Sequence, residues 1–257
     1  MQNVNEKMAL LDNKSTTNGL TTFFAVICIV DVFGVFPVVT LPKAVIDCGF
    51  YGFFVVTLTC LTQIYTASLL GRCWVIAEEI EPSIKYKNRY PYAALTEISY
   101  GKKMASFVTF LLDLTIFGGG IPNLIVASQN LQLLGLRASD GSVNISFCLW
   151  IIVVGSVLCP VLWLGSPKDM KLLCSLSVGI VITVFLLING CILLSTSDPS
   201  TEILENNSTP VWKNVLKAYG IIAFQFDIHP SILTIQVDML AKSRLTRAIL
   251  AGFSGKF

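Results

Sequence analysis

Long stretches of the chain carry no charged residue and are separated by short polar segments. No charge occurs in residues 50–71 or in residues 172–197. About 20 apolar residues are needed for a helix to cross the hydrocarbon core of a bilayer. A water-soluble core does not account for such runs, because most helices of soluble proteins keep one polar face. The pattern therefore predicts an all-α, multi-pass membrane protein.

The run lengths predict six membrane spans. These cover residues 20–42, 49–77, 104–134, 146–164, 170–195 and 215–239. Residues 1–19 are polar and are interpreted as a disordered cytosolic tail, without the features of a cleaved signal peptide. Residues 78–103 connect spans two and three. Within this connection, a short helix at the membrane surface is predicted at residues 92–98, with Gly101 ending it. This connection is compatible with either a solvated linker or a gate.

Composition and charge refine this prediction. Hydrophobic residues make up 54% of the chain and charged residues 13%, whereas soluble domains have about 25% charged residues. The net charge of +2 is uninformative, because the sidedness of lysine and arginine orients a membrane protein. Most of these residues fall on the side of the N-terminus, which is therefore predicted to be cytosolic. Glycosylation sequons at Asn206 and Asn207, on the opposite side, agree with this orientation.

The sequence contains no pattern typical of catalysis. The eight cysteines lie within apolar runs and lack metal-ligand spacing, so they are interpreted as small buried residues. Nucleophile elbows and phosphate-binding glycine loops are also missing from the sequence. We therefore predict a protein that is not an enzyme, with no catalytic residue, no metal and no cofactor.

The first predicted span contains residues that disfavour a continuous helix. An acid, a glycine and a proline occur within the run Asp31, Val32, Phe33, Gly34, Val35, Phe36 and Pro37. Glycine tolerates non-helical backbone, and proline removes a hydrogen-bond donor. Irregular backbone at membrane depth is tolerated only where it faces protein or a water-filled cavity. We therefore predict that this helix is interrupted and that the interruption lines a site.

The sixth predicted span is interrupted in the same way. Near its middle lies the run Phe226, Asp227, Ile228, His229 and Pro230. A charge at this depth costs about 2.5–3.5 kcal/mol on insertion scales, and such residues usually mark a substrate or ion pathway. His229 is the one histidine of the chain, and an imidazole titrates near neutral pH. Asp227, His229 and Asp31 are therefore predicted to carry a coupled proton or ion.

Purely structural interpretations of these residues, without a role in transport, also stay open. Pro37 and Pro230 are compatible with ordinary kinks, which are common in membrane helices. Asp31 and Asp227 are compatible with structural acids that are neutralised or paired inside the bundle, and His229 with a helix cap. In transporters built from two repeats, however, discontinuous helices occupy corresponding positions in the two halves. A five-span repeat would place the first helix of its second copy at span six.

Several short motifs, taken together, resemble a known family. They are Leu41-Pro42-Lys43-Ala44, Gly49, Gly52, Tyr65-Thr66-Ala67-Ser68-Leu69-Leu70, Tyr90-Pro91-Tyr92, Tyr100-Gly101, Met170-Lys171-Leu172-Leu173-Cys174-Ser175, Phe224, His229 and Asp238-Met239. Over residues 20–245 the chain resembles the amino acid/auxin permease family, whose members carry an amino acid transporter transmembrane domain. It is similar in places to the vesicular inhibitory amino acid transporter branch.

The resemblance implies a five-plus-five inverted-repeat fold that takes up amino acids together with H⁺ or Na⁺. It also implies that the segment from Asp31 to Pro37 binds the α-amino and carboxylate groups of the substrate, with residues 226–229 contributing from span six. On this basis residues 20–245 are the first half of the fold plus the first helix of the second half. Residues 246–257 are then a truncated cytosolic end, and the chain looks like a fragment.

The predicted function is ion-coupled symport or exchange of amino acids by alternating access. The expected partners are a small amino acid and the lipid bilayer, without nucleic acid. The alternative is a non-transporting membrane sensor, or a fragment that modulates a full-length transporter. The pattern fits the plasma membrane and an endolysosomal or vesicular membrane equally well.

Overall fold

The computed structural model describes residues 19–34, 36–86, 90–139, 145–163, 170–194 and 212–254. Apart from one isolated β-bridge, the regular structure of these residues is helical, which confirms the predicted all-α class. The α-helices are α1 (Thr22–Phe33), α2 (Phe36–Asp47), α3 (Tyr51–Ile80), α4 (Pro91–Tyr100), α5 (Lys102–Ala138), α6 (Phe147–Leu162), α7 (Lys171–Leu194), α8 (Trp212–Gln225), α9 (His229–Asp238) and α10 (Leu245–Ser254). Short 3₁₀ helices follow α3 and precede α10, at Pro82–Tyr86 and Lys242–Arg244.

Three of the predicted spans correspond to single helices that are long and apolar enough to cross a membrane, namely α3, α5 and α7. Each of them lies within a few residues of its predicted bounds. Helix α6 is apolar but shorter. The first and sixth predicted spans are each divided between two helices, α1 with α2 and α8 with α9. The total of six spans therefore stays a prediction.

Gly34 causes the interruption of span one. Its backbone has a φ of 63°, a left-handed value that glycine adopts at little cost. The Gly34 amide donates to the Val30 carbonyl at 3.3 Å and ends α1. Helix α2 then begins with Pro37 in its first turn, where a missing amide hydrogen has little consequence. The predicted unwound run from Asp31 to Pro37 is therefore too long, because Asp31 is still helical and Pro37 is helical again.

Span six is interrupted between Gln225 and His229. Helix α8 ends at Gln225, and α9 begins at His229 with Pro230 in its first turn. The first amides of a helix have no acceptor within it, so a proline at this position starts a helix and does not kink one. Both predicted interruptions are therefore confirmed, and simple kinks within continuous helices are wrong.

Two of these helices end near predicted boundaries. The short helix predicted before span three is present as α4, and it ends at Gly101, whose φ is 84°. Helix α2 continues past Pro42, the predicted end of span one, to Asp47. The proline removes one backbone hydrogen bond, and a membrane helix tolerates that loss where neighbouring groups satisfy the freed carbonyl.

The helices form two compact units, one of α1–α3 with α7–α10 and one of α4–α6. In the second unit α5 packs against α4 and α6. In the first unit α1 packs against α7, α9 and α10, and α2 packs against α8. The Leu20 amide donates to the Asp238 carbonyl at 2.7 Å, and the Leu240 amide donates to the Leu20 carbonyl at 2.9 Å. The start of span one thus meets the end of span six, and the two interrupted spans run antiparallel.

Helix α10 was not predicted, because residues 246–257 were interpreted as a truncated end. Its buried side lies against α1 and α3 and consists of Leu245, Ala248, Ile249, Gly252 and Phe253. This spacing of three and four residues is the ordinary pattern of an amphipathic helix. Helix α10 approaches α1 closely at Gly252, where a Cβ atom would lie 2.6 Å from Cγ2 of Ile29.

We predict that Gly252→Ala destabilises the protein. Ile29 is fully buried and β-branched, so it has little freedom to move away from the added methyl group. The free energy of unfolding should fall by about 1–3 kcal/mol, measured by thermal unfolding in detergent micelles. Gly179→Ala in α7 is the matched control, because a Cβ there meets nothing within 4 Å. An unchanged Tm for Gly252→Ala would contradict the packing of α10 on α1.

Candidate functional site

Three phenylalanine rings, Phe33, Phe226 and Phe253, pack together where the two interruptions meet. We call them the aromatic cluster. Phe33 is the last residue of α1 and Phe226 directly follows α8, and their ring centroids are 6.4 Å apart in an edge-to-face arrangement. Phe253 lies 4.9 Å from Phe33 and 6.2 Å from Phe226. All three rings are buried, so the cluster holds the ends of α1 and α8 together.

Both interruptions end one helix and begin another, and backbone groups at such ends lie outside the regular hydrogen bonds of a helix. The Phe226 amide still bonds to the Ile222 carbonyl at 3.3 Å, and the Asp227 amide reaches the Phe224 carbonyl at 3.4 Å. The last carbonyls of a helix and its first amides have no partners within that helix. The carbonyl ends carry partial negative charge and the amide ends carry partial positive charge. The region around the cluster therefore offers groups for both signs of charge.

Asp227 and His229 lie on either side of Ile228 at the start of α9. His229 Nδ1 is 3.8 Å from Asp227 Oδ1, and the two side chains are 31% and 34% exposed. This distance is too long for a direct hydrogen bond but within the range of an ion pair when the imidazole is protonated. Ile228 between them is fully buried. The predicted proximity of the acid and the histidine is therefore present, and their role in coupling stays a prediction.

Asp31 lies on the side of α1 that faces α7. The Cys174 thiol of α7 lies close to the Asp31 carboxylate and to the Cys28 thiol. One turn earlier, Lys171 Nζ lies 5.7 Å from the centre of the Phe24 ring. Ile29 and Phe33 occupy the opposite side of α1, towards α10. The structure therefore brings Asp31 to the α1–α7 contact, while Phe33 is the residue of this segment that meets span six.

The other predicted site residues have mixed placements. Val32 is 40% exposed and is not part of the aromatic cluster. Pro37 is buried in the first turn of α2. Val35 and the side chain of Phe36 lie outside the described residues. The predicted glycosylation sites, Asn206 and Asn207, lie outside them as well.

Sequence reasoning missed a polar contact that holds α9 in place. Lys242, just after α9, forms an ion pair with Glu78 near the end of α3. Trp74 Nε1 donates to Glu78 Oε1 at 2.8 Å, and the Lys242 ammonium lies 5.9 Å from the centre of the Trp74 ring. Within α9, Gln236 Nε2 donates to the Gly71 carbonyl of α3 at 2.8 Å. Glu78 and Lys242 are 164 positions apart in the chain, and no local pattern in the sequence indicates the pair.

Two antiparallel helices that are both interrupted at the same place are compatible with one class of protein, the helical membrane transporters with discontinuous helices. The particular family follows from sequence comparison. The chain belongs to the transmembrane amino acid transporter protein family, whose model matches residues 18–254. The predicted family is thereby confirmed, and it indicates a membrane transporter in place of an enzyme.

A more distant comparison agrees with the family. The amino acid transporter AVT1E of Arabidopsis thaliana is 26% identical to the chain over 218 residues. These residues are 84% of the chain and 39% of the plant protein. The chain thus spans well under half the length of this relative. No solved structure matches the chain.

We predict that the Glu78–Lys242 ion pair stabilises the contact between α3 and the end of span six. Both side chains are mostly buried, 13% exposed for Glu78 and 22% for Lys242. Glu78→Ala should therefore lower the free energy of unfolding by about 3–5 kcal/mol, because it leaves a buried lysine unpaired. The matched control is Glu79→Ala, since Glu79 is exposed and should change stability by about 0.5 kcal/mol or less. Equal Tm values for the two variants in detergent micelles would contradict this role.

Proposed function

We propose that the chain carries the substrate site of an ion-coupled amino acid transporter that works by alternating access. The observation that supports this most strongly is the contact of Phe33 with Phe226, which joins the ends of two interrupted helices. Family membership supports amino acids as the substrate class, and the Arabidopsis relative is named an amino acid transporter. The chain spans only 39% of that relative. Transport by a whole protein that contains this chain is therefore part of this proposal.

The interrupted helices offer the two kinds of group that a zwitterionic amino acid requires. We assign the ammonium group of the substrate to carbonyls at the ends of α1 and α8, where the helix dipoles are negative. We assign its carboxylate to amides at the starts of α2 and α9, where the dipoles are positive. These assignments place binding at the helix ends within the two predicted segments, Asp31 to Pro37 and residues 226–229. The Phe33 and Phe226 rings supply the apolar wall for the substrate side chain.

We assign ion coupling to Asp227 and His229. An imidazolium is attracted to a carboxylate 3.8 Å away, and a neutral imidazole is not. Gain or loss of one proton would therefore change the interaction at the first turn of α9, next to the proposed carboxylate site. The coupled ion is a proton in this proposal, with Na⁺ as the alternative. Asp31 is assigned a structural role, because its side chain interacts with Cys174 of α7.

The experiment that tests the proposal is uptake of radiolabelled amino acids into proteoliposomes. The panel should include neutral, acidic and cationic amino acids, with and without a pH gradient, and with Na⁺ replaced by a bulky cation. This chain and the longest product of the same gene should be compared side by side. Uptake by at least one of them supports the proposal. If both proteins insert into the liposome membrane and neither takes up amino acids, a membrane sensor or a modulatory protein is favoured.

We predict that the pH dependence of uptake is lost in His229→Gln. Uptake by the unmodified protein should rise as the external pH falls, because protonation of the Asp227–His229 pair drives uptake in this proposal. The variant should show a flat profile, and Asp227→Asn should flatten it as well. Asp31→Asn is the matched acid-to-amide control and should keep the pH dependence. If the pH dependence is lost in Asp31→Asn but kept in Asp227→Asn, the assignment of the coupling residues is contradicted.

A further inference from the structure

A cavity of about 230 Å³ lies between α3, α9 and the segment that leads into α10. It is separate from the aromatic cluster, because none of the three phenylalanines lines it. On the α3 side the walls are formed by Gly71, Arg72, Val75 and Ile76. On the other side they are formed by Gln236, Lys242, Ser243, Leu245 and Thr246. The volume is large enough for a small polar group and too small for a whole lipid or peptide.

The floor of the cavity contains a buried acceptor that lacks a partner. Gln236 is 1% exposed, and its amide nitrogen donates to the Gly71 carbonyl at 2.8 Å and to the Lys242 carbonyl at 3.2 Å. These bonds fix the orientation of the amide, and Gln236 is one of the residues that line the cavity. Among the described residues, Gln236 Oε1 is buried without a hydrogen-bond partner. Such a group is costly unless a donor reaches it, so a ligand with a hydroxyl or amine donor is favoured here.

The rim of the cavity carries positive charge and donors. The charge of Lys242 is balanced by Glu78, but Arg72 pairs with no carboxylate in the described part of the chain. Arg72 is exposed, and an arginine presents a fork of donors that suits the oxygens of a phosphate group. The hydroxyl groups of Ser243 and Thr246 add two further donors. The rim therefore favours an anion over a cation.

In the predicted orientation, the cavity lies near the cytosolic end of the second predicted span, where lipid headgroups are expected. Arg72 and Ile76 belong to the last turns of the second predicted span, on the side that the positive-inside rule makes cytosolic. Ile76 is 53% exposed, so an apolar surface continues outward from the cavity along α3. Anionic lipids are concentrated in the cytosolic leaflet, and basic pockets between helices on that side bind their headgroups.

We propose that this cavity binds the headgroup of an anionic phospholipid that carries hydroxyl groups, such as an inositol or glycerol headgroup. The phosphate oxygens accept hydrogen bonds from Arg72, Ser243 and Thr246. A headgroup hydroxyl donates to Gln236 Oε1, and the acyl chains lie along Ile76 on the outer surface of α3. Because α9 carries both Gln236 and His229, the bound lipid stabilises the position of the half-helix at the proposed substrate site.

The test is direct binding to the purified full chain in detergent micelles. The probe is dioctanoyl phosphatidylinositol, and its affinity is compared with those of two other compounds. Dioctanoyl phosphatidylcholine has the same chains without net charge, and glycerophosphoinositol has the same headgroup without chains. We expect the inositol lipid to bind tightest. If the choline lipid binds equally well, the proposal is overturned. If glycerophosphoinositol binds equally well, the ligand is a soluble anion and the proposed binding of a lipid is overturned.

A pair of arginine variants separates the cavity from general surface charge. Arg72→Gln should raise the Kd for the inositol lipid about tenfold, because it removes charge-assisted hydrogen bonds to the phosphate. Arg247→Gln makes the same change in charge on the exposed side of α10, outside the cavity, and should have a much smaller effect. Both residues are exposed, so both variants should keep the Tm of the unmodified protein. Equal losses of affinity in the two variants would overturn the proposal.

Discussion

A helix that is interrupted inside a membrane must satisfy the backbone groups that the interruption sets free. Lipid provides no hydrogen bonds, so such groups are stable only against protein or a water-filled cavity. The chain meets this requirement by placing its two interruptions side by side. The Phe33–Phe226 contact holds the ends of α1 and α8 together.

The other contacts of this unit hold the half-helices in position around that meeting point. Leu20 bonds to the strand-like backbone after α9, and Phe253 of α10 packs on both Phe33 and Phe226. At the opposite end of α9, the Glu78–Lys242 pair and the Gln236–Gly71 bond join it to α3. A movement of α9 would therefore require these polar contacts to change. They provide a physical link between the proposed substrate site and the predicted cytosolic end of α3.

Sequence reasoning located the interruptions because their causes are local. Gly34 has a backbone conformation that suits glycine, and Pro230 starts a helix, so each position could be identified from its own residue type. The contact of the Asp31 side chain with α7 could not be identified in this way, because the face of α1 that meets α7 depends on packing between helices that are distant in the sequence. The same is true of the Glu78–Lys242 pair. Helix α10 did have an apolar repeat at Leu245, Ile249 and Phe253, and this signal was overlooked.

The central claim is that the interruptions of spans one and six meet at Phe33 and Phe226. Cross-linking of paired cysteines with a short bifunctional methanethiosulfonate reagent in native membranes tests it most directly, after replacement of the eight native cysteines. The pair Phe33→Cys with Phe226→Cys should cross-link readily, because the native rings are 6.4 Å apart and the spacer of the reagent fills the space that the two rings occupied. The pair Phe33→Cys with Phe224→Cys should not, since Phe224 is 48% exposed on another face of α8. Cross-linking of the second pair in place of the first would contradict the account.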